Sequence, residues 1–463
     1  MIKHSIYCIL FGFLPLVSVA NTRLTVAPPD STSTIAEKAA AVYLIEEGKA
    51  LYAKGRMRDA INKFRDAAKK DVTSWKAPFW ISRCHYEMYN YGYALKYAIE
   101  AVSLNNNEVD KEVYEVLADS YHRLGKIDSA IYNYEMGIKL LSKTRAAELR
   151  LPLRLEQAKY AKTQLEKNIE NKRIRLEGNV NSGYNDYSPV IFNGGKTMYF
   201  TSRRSNTTGG RQNPDDQQFF EDIYIAKWDS ETNMWDSVSN KLGRINDTGF
   251  ESVSHISEDG MIAYITINNS AVENPKIETK SSDIAEVKWT KQNQWSIPKL
   301  LGKTINSSFY DGNATLTADG QTMYFVSERN AKNKMSDIYV SYKRGNEWSK
   351  AEALPDAINS KGRETTPYIT PDGRYLFFSS NGHANSMGGY DVFVVERMGS
   401  SWGEVKNLGP IINTVNDDFG FKIYNSIQKA YINGMEIIDD KASIDIYEFN
   451  ISLDELIKSL DNK

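Results

Sequence analysis

The sequence predicts a two-domain chain: an all-α superhelix of paired helices, followed by an all-β domain built from repeated four-stranded units. Three observations carry this. Between residues 36 and 172 Gly is sparse and apolar residues recur at helical spacing. Within that stretch a set of small residues returns every 34 to 36 positions. Beyond it, five times over, an Asn is followed five residues later by an acid, and then by an Asp that heads an alternating run. The spacing between unlike residues is held while the sequence between them drifts, and composition alone does not produce that.

The first residues stand apart from both domains. Lys3 and His4, an apolar run from Ile6 to Val17, and Ser18-Val19-Ala20 describe a secretory signal, residues 1–20, cut after Ala20. The run is too short for a spanning helix. Cys8 lies inside the apolar core, not at its end, so the mature chain is expected to be soluble and unacylated. Residues 21–35 are polar with a Pro pair and read as a leader. Cys84 is then the only mature cysteine, which leaves no internal disulfide and no cysteine metal cluster.

At 463 residues, with 41% hydrophobic and 25% charged side chains, the chain can bury two sizeable cores. Charge divides unevenly: residues 36–172 carry +5 and residues 173–463 carry −8. Neither half shows the basic stripe of a nucleic-acid binder.

In the helical segment Ala60, Phe64 and Ala67 are matched by Ala94, Ala98 and Ala101, and again by Ala130, Tyr134 and Gly137. Small residues at the outer positions let paired helices approach closely. Gly48 and Leu51 in the first unit, and Leu117, Ala118 and Tyr121 in the third, extend the frame. This pattern resembles the tetratricopeptide repeat, with units at 41–74, 75–108 and 111–144 and a capping helix at 145–171. The resemblance implies a concave surface that binds a peptide or protein. The aromatics Trp75, Trp80, Tyr86, Tyr89, Tyr91, Tyr93 and Tyr97 are expected mostly in the core. The sequence departs from the pattern in two ways: Ser82 stands in the second unit for the usual Gly, and no Pro closes any unit.

The second frame consists of the pairs Asn181/Asp186, Asn246/Glu251, Asn306/Asp311, Asn359/Glu364 and Asn413/Asp418, followed by Asp222, Asp283, Asp337, Asp391 and Asp445. Trp235, Trp295, Trp348 and Trp402 each precede the next Asn by eleven residues. Gly turns at 193–195, 258–260, 318–320 and 371–373 separate the first two strands of four units. Four antiparallel strands repeated at about 54 residues suit a propeller blade. ITPDGRYLFFSSNGHANSMGGYDVFVVE, with YSPVIFNGGKTMYFTSRR, resembles the WD-repeat-like, TolB-type propeller motif over about 180–450. The fifth unit has NSIQ in place of the Asp-Gly turn and no Trp after Asp445. The segment RIRLEGNV, just before Asn181, lies where other units have a fourth strand, so it is expected to complete the last blade. Five blades follow for residues 173–463, with six as the alternative if residues 451–463 and those before Asn181 hide a degenerate unit.

The frame places Asp186, Glu251, Asp311, Glu364 and Asp418 at the head of the innermost strands, as a ring at one mouth of the channel. Surplus length on the same side falls in loops 203–221 and 268–282. An acidic mouth with two enlarged loops is the expected binding face, and whether it holds Ca²⁺ stays open. The Asp of each D-[IV] pair is expected to bond backbone amides, and the four Trp to pack blade on blade.

His residues at 4, 85, 122, 255 and 383 show no metal-ligand spacing. No G-x-S-x-G elbow or phosphate loop is present, and the pairs Gly209-Gly210 and Gly388-Gly389 read as flexible turns. No cofactor is implied. The expected function is a non-enzymatic periplasmic scaffold or adaptor. The alternative is a glycan-binding or glycan-hydrolysing propeller whose carboxylates face an axial pocket. The two modules together resemble cell-envelope proteins of Bacteroidetes type, some of which serve type IX secretion and gliding, often with an OmpA-like domain. The chain stops at Lys463, so no such domain and no direct peptidoglycan anchoring is expected; an outer-membrane protein or a peptidoglycan-associated complex is the implied partner.

Overall fold

The computed structural model describes residues 33–104, 109–213, 217–268, 282–330, 335–438 and 441–461. The expected signal segment lies outside these residues. No helix among the described residues is long and apolar enough to cross a membrane.

Eight helices come first, at Ile35–Ala53, Met57–Lys70, Lys76–Glu87, Tyr91–Leu104, Val113–Arg123, Ile127–Leu140, Lys143–Glu148 and Leu151–Leu165. The first is opened by a capping box in which Thr34 and Glu37 satisfy each other's backbone amides. The repeated small residues sit at the helix crossings: Ala60, Ala94, Ala98, Ala101 and Ala130 are fully buried. A Cβ on Gly48 would lie 2.4 Å from the Phe64 ring, so the first helix pair packs this closely only because that position lacks a side chain. The single capping helix expected at 145–171 is two helices. Arg150 adopts a left-handed conformation between them, and Pro152 starts the longer one. Most of the aromatic group is buried or half-buried as expected, but Tyr89 and Tyr93 are exposed.

Residues 174–450 form five antiparallel blades around one axis, three of four strands and two, the third and fourth, in which the outermost strand is split into two short segments. The innermost strands are Asp186–Phe192, Phe250–Ile256, Asp311–Leu316, Glu364–Ile369 and Asp418–Tyr424. Each meets the next around the ring, and the fifth meets the first. The ring closes as expected: Ile174–Arg175 pairs with Tyr447 and Glu448, adding an N-terminal strand to the C-terminal blade. Among the described residues there is no sixth blade. Residues Leu453–Asp461 form a helix that buries Leu456 and Leu460 against Tyr447 and Phe449 of the last blade.

The five Asn of the frame explain its fixed intervals. In every blade the Asn side chain accepts from the backbone N–H, and donates to the C=O, of the residue after the Asp in the preceding blade. These residues are Ile446, Ile223, Ile284, Ile338 and Val392, at 2.8–3.0 Å. A second donor bond fastens the connection itself, for example Asn306 to Leu301 O at 3.0 Å. One amide thus satisfies three backbone groups where the chain leaves one blade for the next. The Trp residues pack as expected: Trp295 lies against Tyr199 of the preceding blade and Trp402 against Tyr324.

Candidate functional site

The acidic ring exists, but its carboxylates are not presented to solvent. Asp186, Asp311, Glu364 and Asp418 are 0% exposed and Glu251 is 3% exposed. In three blades one carboxylate oxygen takes two bonds from the residue four positions before it: Ser182 N and Oγ to Asp186, Ser307 N and Oγ to Asp311, Thr414 N and Oγ1 to Asp418. The other oxygen takes an arginine: Arg204 at 2.7 Å, Arg329 at 2.7 Å and Arg173 at 3.1 Å respectively. Arg204 and Arg329 both lie eighteen residues past their acid. In the fifth blade, Arg173 comes from the closing segment instead.

Among the described residues the two glutamates have no such arginine. Glu364 accepts the Ser360 and Ser380 hydroxyls on one oxygen and has none on the other, and burial pushes its carboxyl up to about 7. Burial, with Asp247 beside it, pushes Glu251 up to about 10. These groups fasten the chain at the blade heads, and the expectation of an open acidic mouth is corrected on that ground. Two Asp of the D-[IV] pairs take a backbone amide as expected, Asp222 from Thr208 N and Asp391 from Met387 N, whereas Asp445 is held by the Arg175 and Ser443 side chains.

The same end of the propeller carries the helical domain. The blade-four loop after Ser380 packs into the helical stack, where Met387 is 1% exposed among Ala118, Tyr134, Ala158 and Ala161. His122, kept neutral by burial that lowers it to about 4, bonds the Met387 carbonyl at 2.8 Å. Arg123 reaches Val415 O at 3.1 Å and Asp417 at 3.3 Å, and Arg150 and Gln157 hold the carbonyls of Asn381 and His383. A Cβ on Gly389 would lie 1.7 Å from the Asp417 carboxylate, and one on Gly388 2.1 Å from Val415 O. These glycines are close-packed contacts, not the flexible turns expected from sequence. At the other edge of the stack, Gln217 of loop 203–221 donates to Asp59 at 3.2 Å. This enlarged loop therefore meets the chain's own helices, while most of loop 268–282 lies outside the described residues.

The opposite end of the propeller is open. A cavity of about 950 Å³ lies on the axis, on the side of the turns between first and second strands. Its wall is a second five-fold ring, four residues past each acid: Val190, His255, Thr315, Tyr368 and Lys422. Each stands just after a bulge in the innermost strand, opposite Tyr199, Tyr264, Tyr324, Phe377 and Tyr431. The bulge residue has a positive φ in four blades, at Ser188, Asn313, Thr366 and Gly420. Backbone position is therefore repeated while the side chain changes entirely. Lys422 is 8% exposed, and its ammonium bonds Ser254 O at 3.0 Å. Blades five and two are not neighbours, so this side chain crosses the axis. Burial lowers Lys422 to about 7 and His255 to about 3. At the rim Asp259, Asp319 and Asp372 each accept two bonds within their own turns. Hydrogen bonds from Ser257 and Thr317 hold Asp259 and Asp319 below the ordinary carboxylate range, so both rim groups stay ionised.

No group of three or more His, Cys, Asp or Glu among the described residues could hold a metal ion. The sequence already contained the signal for the axial ring, since it lies at a fixed offset in the frame, but its five residues differ and no repeated residue type marks it.

No protein-family model matches this chain, and no curated protein does. Solved structures similar to parts of it include the first tetratricopeptide domain of human RPAP3, 18% identical over 28% of this chain and 99% of that one, with a TM-score of 0.25. The MamA protein is 22% identical over 28% of this chain and 69% of its own, with a TM-score of 0.24. A glycoside hydrolase is 11% identical over 63% of this chain and 96% of its own, with a TM-score of 0.41. These likenesses concern fold and leave function to the geometry.

Proposed function

We infer that the chain is a non-enzymatic interaction scaffold of the cell envelope. The observation that carries this is the docking of two modules into one body. The propeller fills the C-terminal half of the helical groove through Met387, Gly388 and Gly389, and among the described residues it leaves the N-terminal half free. That free half presents Val42, Glu46, Lys49 and Trp80, with the Lys49 ammonium 5.4 Å from the Trp80 ring centre. An exposed apolar and charged strip on rigid helices suits a protein segment. The resemblance of the paired modules to Bacteroidetes-type envelope proteins supports a periplasmic setting, an outer-membrane or peptidoglycan-associated partner, and a role in type IX secretion or gliding.

Cross-linking in the native envelope, followed by partner identification, tests this. The double variant Val42→Glu, Lys49→Glu changes only partly exposed side chains and is expected to cut capture at least fivefold with an unchanged melting temperature. Undiminished capture would remove the groove from the reading. The glycan alternative has one observation behind it, the axial cavity. The rim carboxylates there are tied into turns, and no second, raised carboxyl faces them as an acid–base pair requires. Turnover of any oligosaccharide in a hydrolysis screen would reverse this assignment.

A further inference from the structure

The axial cavity has a charge arrangement that the scaffold reading does not use, and the inference drawn from it stands apart from that reading. Its floor is an amine and its rim is acidic. Lys422 is the cation at the floor, and among the described residues it has no carboxylate partner; its one bond is to a carbonyl. An ammonium has three donors, so two point to no protein acceptor while the group is more than nine-tenths buried. A buried charge in this state is costly unless something pairs with it. The rim carries Glu258, Asp259, Asp319 and Asp372, all exposed. Around Lys422 the lining includes Val190 and Tyr368 of the same ring, with Tyr424 and Leu453, a mainly apolar wall.

We propose that this cavity binds the C-terminal end of a peptide, with the free carboxylate on Lys422 and a Lys or Arg side chain upstream meeting the rim acids. Three features of the site select this ligand. Lys422 crosses the axis from blade five to blade two, so the cavity is blind at its floor and admits a chain end, not a chain threading through. Of the two lysines that line the cavity Lys343 is part-exposed and Lys422 buried; one buried amine matches one negative charge, and four rim carboxylates oppose a phosphate or any other polyanion. The same rim attracts a cation, so the ligand is negative at its tip and positive behind it. A peptide C-terminus with a basic residue upstream has this polarity, whereas an acidic sugar supplies only the tip. The phenol of Tyr424, which accepts from Ile191 N at 3.0 Å, keeps its own proton to donate to a ligand carbonyl.

The test uses the full mature chain, immobilised, and a pool of hexapeptides randomised at every position, offered with free C-termini and again as C-terminal amides. The free-acid pool is expected to be retained at least tenfold over the amides and to be enriched in Lys and Arg upstream of the terminus. Lys422→Met should abolish that difference with no loss of melting temperature, while Lys422→Arg should retain part of it. Equal retention of acid and amide pools, retention unaffected by Lys422→Met, or no retention of either pool would overturn the proposal. An oligogalacturonate arm separates the other source of a single carboxylate: binding there without peptide binding assigns the cavity to acidic sugars and overturns the peptide assignment.

Discussion

Two rings of five residues lie four positions apart on the same innermost strands, and they have opposite chemistry. In the first, Asp186, Glu251, Asp311, Glu364 and Asp418 repeat one residue class, are buried, and take their partners from their own blade or from the closing segment. In the second, Val190, His255, Thr315, Tyr368 and Lys422 share a backbone position and nothing else, and they line a cavity. Repetition thus marks what every blade needs in order to start its inner strand. Divergence marks what only the assembled ring can use, because five different side chains converge on one axis. A site in a symmetric scaffold is built by breaking the symmetry at the positions the scaffold leaves free.

The sharpest way to break the first ring is Asp311→Leu. It strands Arg329 beside a vacated carboxylate and removes the acceptor of Ser307 N, and a broken buried pair costs ~3–5 kcal/mol. Denaturant unfolding is expected to show a loss of that size.

The second ring should respond with the opposite sign. Lys422→Met replaces a buried amine lowered to about 7. Its charged form is penalised in the fold, so the penalty is full below pH 7 and fades as pH rises toward the unfolded value. The variant should therefore gain ~2 kcal/mol at pH 6, with the gain shrinking by pH 10. Equal gains at both pH values would mean that the amine is not buried as a charge.

The smallest effect is expected at Glu364→Gln. Its carboxyl is raised to about 7, so its contribution to stability is present below the unfolded value near 4.5 and is lost as pH rises through 7. The Gln variant should match the parent at pH 4.5 and exceed it by ~1–2 kcal/mol at pH 8, read from melting temperatures across that range.

Both domains, the closing strand and the Asn-to-acid frame were legible because each rests on local rules: helical spacing, turn glycines, and a repeated need to satisfy backbone groups at blade junctions. The docking of the domains was not. Met387, Gly388 and Gly389 look like any loop until Ala118 and Asp417 are brought beside them, and nothing within twenty residues in sequence hints at either partner. Arg173 was similarly hidden, since it does for Asp418 what an arginine eighteen residues downstream does elsewhere. The candidate site fell between these cases. Its positions were fixed by the frame, but its character depends on Lys422 reaching Ser254, a contact across 168 residues.

The strand Ile174–Arg175 has a consequence for how the molecule is made. Its partners, Tyr447 and Glu448, leave the ribosome some 270 residues later, roughly 14–55 s at about 5–20 residues per second. Throughout that interval the helices can fold, but the hole that receives Met387 has no occupant and the first blade has an open flank. The nascent chain thus exposes an apolar groove and an unpaired edge together, for as long as it takes to make the rest of the propeller. A chaperone that holds those two surfaces during synthesis would be matched to this topology.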